Sequence, residues 1–234
     1  MLPPPARVGA LVDDIRGRAD RVAEAVRRCT STLSGEQTAA VSHRVDLDLT
    51  HLLGGPLSGD VVLHGRLAVA WRYGSVRWQE LVPLWIRLLA VGAAAAADPP
   101  DTASPLQGVA IGTNGVFRLT PPDPGAAAAL LAEMMGVRGR GLRRVLPLPV
   151  ELVNARRPLL STSQRDPEGE ARAEWARVCE RPEWQMTLPY SYRELMRLPP
   201  DADDPGVPEP SRVEQLTSWL TVPVLTGLRT ERLP

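Results

Sequence analysis

Apolar residues recur every three or four positions near the start of the chain and predict a helix over residues 6–33. The stripe is Val8, Leu11, Val12, Ile15, Ala19, Val22, Val26, Cys29 and Leu33. Asp13, Asp14, Arg16, Arg18 and Arg21 fill the other faces. The period then shortens to two. In HRVDLDL (43–49), Val45, Leu47 and Leu49 alternate with Arg44, Asp46 and Asp48, the pattern of a half-buried strand. After Gly54-Gly55-Pro56, LSGDVVLHGRLAVAWRY predicts two more strands, about 57–63 and 66–73, joined by a tight turn at His64-Gly65.

Helical spacing returns over about 80–97, with Leu81, Leu84, Trp85, Leu88 and Leu89 as its buried stripe. Pro83 is placed in the first turn, where a missing N–H is tolerated, and Asp98-Pro99-Pro100 ends the helix. LQGVAI (106–111) and VFRL (116–119) predict a hairpin around Gly112-Thr113-Asn114-Gly115. Asp123-Pro124 opens a helix to about Val137, with Leu130, Leu131 and Met134 inward. Residues 1–137 therefore read as α-β-β-β-α-β(β)-α, a mixed-sheet α/β unit.

From Arg138 the texture changes. RGRGLRRVLPLPVELVNARRP is basic, broken by glycine and punctuated by proline. Helices are expected around Glu168 to Glu180, with Trp175 and Val178 inward, and near Tyr192 to Leu198. The acidic, proline-rich PPDADDPGVPEP (199–210) reads as an exposed loop. Ser211-x-x-Glu214 reads as a capping box opening a last helix, with Leu216, Trp219 and Leu220 inward. Residues 138–234 are thus expected to form a proline-punctuated helical extension packed on the core.

Composition narrows the chemistry. Hydrophobic residues make up 44% of 234 and the 27 basic and 27 acidic residues cancel, so contact with nucleic acid must come from local patches. Every cation is arginine; there is no lysine. A G-x-x-x-x-G-K phosphate loop and Schiff-base chemistry are excluded. Cys29 and Cys179 lie far apart in predicted helices, as reduced, packed thiols rather than a disulfide or zinc framework. His43, His51 and His64 are close in sequence but lack the short spacing of a ligand pair, so no metal site and no cofactor are expected. No apolar run is long enough to span a bilayer and no signal peptide is visible, which predicts a cytoplasmic, non-membrane protein.

Candidate binding residues are few. Arg138, Arg140, Arg143 and Arg144 could reach DNA phosphates without reading sequence; the plainer reading is a solvated loop. Trp78 and Trp85 could stack on bases, though Trp85 sits on a core stripe. Trp71 and Tyr73 share a strand face that is either an exposed aromatic edge or a buried interface. Asp46 and Asp48 share the solvated face of their strand and, with Asp60, are the carboxylates from which a displaced cation site could be built. No serine or cysteine has a recognisable base partner.

The element order resembles metal-dependent nucleases of the PD-(D/E)XK class. There a helix precedes a three-stranded meander, with one acid on the second strand and an acid-x-lysine pair on the third. The acids hold the cations that activate water. Helicase-linked members write G-x-x-D on one strand and D-Y-K-x-G on the next. Laid on LSGDVVLHGRLAVAWRYG, Gly59 and Gly74 match the glycines; Val62 stands for the first acid, and Ala70 and Arg72 for the acid and lysine. The resemblance implies a nuclease-like core without catalytic residues.

A closer resemblance is to the C-terminal region of the exodeoxyribonuclease V gamma subunit, the RecC family. It is carried by Gly59 and Val61, by Gly65 and Leu67, and by Leu84, Trp85 and Leu89 of LVPLWIRLL. Gly141, Leu142, Leu146 and Pro147 continue it, as do EWARVCERPEW and the closing RVEQLTSWLTVPVL. Leu88 stands where the family helix has histidine, and Val145 replaces the first proline of the later motif. Membership implies a non-catalytic, DNA-guiding and structural piece of a helicase–nuclease complex in double-strand-break repair and recombination. It implies packing against RecB-like and RecD-like partners and non-specific contact with the DNA backbone. Full family members are several times longer, so the chain is expected to be either a truncated or split subunit or a small relative working alone. The readings that compete with this one are an active metal-dependent nuclease using Asp46, Asp48 and Asp60, and a stand-alone protein-interaction module.

Overall fold

A computed structural model describes residues 5–31, 38–48, 56–95, 105–160, 166–207 and 209–233. Leu33, Leu49, His51, Gly54-Gly55 and Asp98-Pro99-Pro100 lie outside these residues. The elements are α1 (Pro5–Thr30), β1 (Ala40–Leu47), β2 (Leu57–His64), β3 (Leu67–Trp71), α2 (Trp78–Ala94), β4 (Gln107–Gly112), β5 (Gly115–Leu119) and α3 (Pro124–Gly141). Then follow α4 (Val150–Arg156), α5 (Pro167–Cys179), α6 (Pro182–Thr187), α7 (Tyr192–Leu195), α8 (Arg212–Thr226) and β6 (Leu228–Glu231). The strands form one six-stranded sheet in the order β1-β2-β3-β4-β5-β6. Only β3 and β4 run parallel; every other neighbouring pair is antiparallel. This is the mixed α/β fold that the changing period predicts.

Alternation along the strands builds the two faces of the sheet. Val45, Leu47, Val61, Leu63, Ala68, Ala110, Phe117 and Leu119 point into the main core. The intervening Val109, Ile111 and Val116 face Val22 and Ala25 of α1 on the other side. Between β2 and β3 the chain reverses at Gly65, whose φ of 62° favours a residue without Cβ, and His64 faces Leu67 across the turn.

The main core is α2. Trp78, Leu81, Leu84, Trp85, Leu88 and Leu89 are each at most 1% exposed. Full burial of a side chain of this size contributes roughly 1.5–3 kcal/mol. The helix starts two residues earlier than the stripe suggests, at Trp78. Pro83 therefore lies in the second turn, where it removes one backbone hydrogen bond, rather than in the first. Trp78 is not a surface platform. It is completely buried, and its indole N–H donates to the Arg157 carbonyl at 2.6 Å.

Helix α1 is amphipathic as expected, but only its second half is covered. Val22 and Ala25 are buried, while Val8, Leu11, Val12 and Ile15 are 43–58% exposed. The first half of the stripe runs on past the part of the helix that packs on the sheet.

Helices α4 to α8 hold a second cluster made by Leu152, Ala155, Ala171, Trp175, Val178, Leu195 and Val213. Val153 and Val224 turn instead into the main core, and β6 extends the sheet beyond β5. The helix starts follow the local chemistry. Asp123 Oδ1 accepts from Ala126 N at 3.0 Å, and Asp166 Oδ1 from Glu168 N at 3.1 Å. The expected capping box at Ser211 is half formed. Its hydroxyl accepts from Glu214 N at 3.3 Å and donates to Glu214 Oε2 at 3.4 Å, while Glu214 Oε1 accepts from Arg156 at 2.7 Å instead of the carboxylate closing on the Ser211 backbone N–H.

Two segments depart from expectation. Helix α3 runs on to Gly141, so Arg138 and Arg140 are helical rather than part of a glycine-broken loop. The stretch expected to be an exposed acidic loop carries a buried Asp204, whose side chain has no solvent exposure.

Candidate functional site

The three positions that stand for the nuclease acids and lysine do not converge. On β2 the buried residues are Val61 and Leu63, so Val62 points outward and is 55% exposed. On β3, Ala68 and Ala70 face the main core. Arg72 follows two residues on. Val62 therefore lies on the opposite face of the sheet from Ala70, and the core-facing residue of β2 is its neighbour Val61. Where the resemblance would put metal-binding carboxylates, this chain has an exposed valine and an alanine packed on the core.

Arg72 has its own partner. Its guanidinium pairs with Glu80 in the first turn of α2. The other oxygen of Glu80 accepts from the Arg77 backbone N–H at 2.8 Å, closing the helix start. The Arg72 backbone N–H donates to Ile111 O at 3.0 Å, and Thr113 N donates to Gly74 O at 2.8 Å. A Cβ on Gly112 would collide with that Gly74 carbonyl, so the β3 end and the β4–β5 tip meet backbone to backbone. Asn114 locks the junction by accepting from Val76 N at 2.8 Å and donating to Val76 O at 3.2 Å. Asn154 of α4 accepts from Trp78 N at 2.9 Å and donates to Gln79 Oε1 at 2.8 Å.

Beside this corner lies an open cleft of about 580 Å³, bordered by Arg77, Asn114, Glu151, Asn154, Glu174 and Arg177 among others. Both carboxylates and both asparagines named here are already engaged. Glu151 pairs with Arg181 at 2.7 Å and Glu174 with Arg177 at 2.9 Å, and both asparagine amides are spent on the backbone and Gln79. Glu80, Asn114 and Asn154 were not singled out by sequence. The signal for Glu80 was present, an acid three residues after Arg77, but it becomes visible only when the helix is started at Trp78.

The displaced carboxylates fare no better as a cation site. Asp46 and Asp60 flank Arg44, with Asp46 Oδ2 at 3.2 Å from Nε and Asp60 Oδ2 at 3.7 Å from Nη1. The hydrogen bond that Arg44 donates to Asp46 holds its guanidinium more firmly charged than usual, and Asp60 adds to it. A guanidinium thus sits where a divalent ion would have to bind. Among the described residues no group of three or more His, Cys, Asp or Glu could hold a metal.

The four arginines offered for DNA divide into two pairs. Arg140 and Arg144 belong to an ion-pair cluster with the 199–207 segment and α8. Arg144 reaches Asp201 at 2.9 Å and Asp204 at 3.2 Å, and Arg140 lies 3.8 Å from Asp204. Arg212 closes the cluster, 2.6 Å from Asp204. The Asp203 backbone N–H holds the Asp201 carboxyl below its usual range, with Arg144 and Arg212 reinforcing it. Arg138 and Arg143 are exposed and form no ion pair with the described residues. Trp71 and Tyr73, at 66% and 48% exposure, make an open aromatic edge at the end of β3.

The described residues thus form a mixed α/β sheet in which Val62, Ala70 and Arg72 occupy the positions that the nuclease resemblance would give to two acids and a lysine. The family model of the RecC C-terminal domain matches residues 1–155, from α1 through nearly all of α4. The chain belongs to that family. The resembling segments EWARVCERPEW and RVEQLTSWLTVPVL lie beyond the matched residues. No curated protein matches the chain. Among the described residues no helix is long and apolar enough to cross a membrane.

Proposed function

We propose that this chain is a non-catalytic, DNA-guiding and structural domain of a RecC-like subunit, acting within an exodeoxyribonuclease V-type helicase–nuclease complex. The observation that carries the reading is the β2–β3 region of a RecC-family chain: Val62, Ala70 and Arg72 replace the acids and lysine, and Glu80 engages Arg72. Cleavage and ATP hydrolysis belong to RecB-like and RecD-like partners, and the role lies in double-strand-break repair and recombination. On this reading residues 1–137 form the nuclease-like core and 138–234 the helical extension. Arg138 and Arg143 are the arginines available to phosphates, while Arg140 and Arg144 hold the extension together.

The test is one preparation assayed two ways. With magnesium and linear DNA the purified chain is expected to leave the DNA intact; cleavage lost in Asp48→Ala would overturn the proposal. In filter binding, Arg138→Ala and Arg143→Ala are each expected to reduce the salt dependence of DNA affinity by about one counterion. Unchanged salt dependence in both variants would remove these arginines from the interface.

A further inference from the structure

The sheet ends in an eight-residue strand, β1, paired with β2 along its whole length; among the described residues no strand covers its other side. Such an edge offers a row of backbone donors and acceptors, and proteins usually blunt it with proline, a bulge or lysine. β1 has no proline or lysine, and its register with β2 runs without a bulge. Its outward row carries opposite charges two residues apart, Arg44 and Asp46, with Asp60 facing Arg44 from β2.

We infer that β1 is a self-pairing edge, which a second copy of this chain extends with its own β1 across a two-fold axis at Val45. The choice of axis follows from faces and charges. A slip of one residue at the junction would set the core-facing row of one copy, which carries Val45 and Leu47 at 5% and 8% exposure, against the outward row of the other. The registers that match the two faces place the axis on a residue; an axis at His43, beside the strand centre, leaves Arg44 opposite Ser42 and Asp46 opposite Ala40, with neither charge paired. An axis at Arg44 sets two guanidinium groups against each other, and an axis at Asp46 does the same with two carboxylates. The axis at Val45 sets Arg44 opposite Asp46 of the partner subunit, and does so twice. Each charge then has opposite neighbours both along its strand and across the junction. On the other face, Val45 meets its own copy and His43 meets Leu47 of the partner subunit, continuing the row of core-facing residues from one sheet into the next. A strand from an unrelated protein has no reason to find this self-complementary order.

Sedimentation velocity on the full chain tests the inference. The wild type is expected to reach twice the 25.4 kDa chain mass in a concentration-dependent way. Arg44→Asp and Asp46→Arg each create like-charge facing pairs and are expected to raise the dimer dissociation constant about tenfold or more. Mixing the two single variants restores opposite charges at every facing position, so a mixed dimer is expected where neither variant alone forms one. If a single variant fails to fold by circular dichroism, the double reversal Arg44→Asp/Asp46→Arg keeps both the in-strand pair and the self-complementarity and is expected to dimerise like the wild type. A wild type that stays at the mass of one chain at all concentrations would overturn the inference. So would single variants that dimerise undiminished, or a double reversal that folds but stays monomeric.

Discussion

Two corners of the molecule use arginine in opposite ways. At the β3–α2 corner, Arg72 makes one pair with Glu80 at the start of a helix whose Leu81, Leu84, Trp85 and Leu88 are fully buried. At the α3–α8 corner, Arg140, Arg144 and Arg212 converge on Asp201 and Asp204, and Asp204 has no solvent to turn to. The first corner is fixed by burial, with the ion pair as an addition. The second is fixed by charge, because the 199–207 segment brings Asp204 rather than a large apolar side chain to the contact. The same residue type can therefore be dispensable in one place and structural in another, and sequence proximity to glycines does not tell which.

The comparison can be broken most forcefully from the apolar side. Leu88→Ala leaves a cavity in the main core under α2 and is expected to cost about 2–5 kcal/mol in urea unfolding. Asp204→Ala removes the shared anion and leaves three guanidinium groups facing one another. Discounted for their partial exposure, the loss is expected at about 2–3 kcal/mol, and equal stability of variant and wild type would show that the cluster is incidental.

Acid sharpens the contrast. Asp201 titrates below its normal value in the folded state, so its stabilisation is present above the unfolded value of about 3.9 and fades as pH falls through the lower folded value. Asp201→Asn should melt below the wild type at neutral pH, and the gap should close on acidification past about pH 4. A gap independent of pH would mean that the carboxylate contributes by packing alone. The smallest effect is expected at the first corner's own ion pair. Arg72 is 41% exposed, and Arg72→Ala is expected to cost at most about 1 kcal/mol.

Much of the fold was legible because the apolar period was strong. The alternation of Val45 and Leu47 and the stripe from Leu81 to Leu89 are local patterns, and burial followed them. What was missed depends on partners far along the chain. Gly136, Gly139 and Gly141 weaken the helical reading around Arg138, yet α3 continues, and ion pairs to residues some 60 positions on hold its end. The prolines around Asp204 suggested exposure, and no local pattern reveals that Arg212 and Arg144 will meet it. Strand β6 is four residues long, too short to carry a period. At the candidate site the sequence showed that the acids were missing. It could not show that Val62 faces away from Ala70, because that depends on which side of β2 meets α2.

The six tryptophans turn this division into a spectroscopic tool. Trp78 and Trp85 lie in the sheet core, Trp175 lies in the helical cluster with its indole N–H on the Tyr190 carbonyl, and Trp71 stands in solvent. A variant that keeps Trp85 alone would report the melting of the sheet by its red shift, and one that keeps Trp175 alone would report the helices. Coincident curves would mean that charge and burial fail together; separated curves would give the order in which the two halves let go.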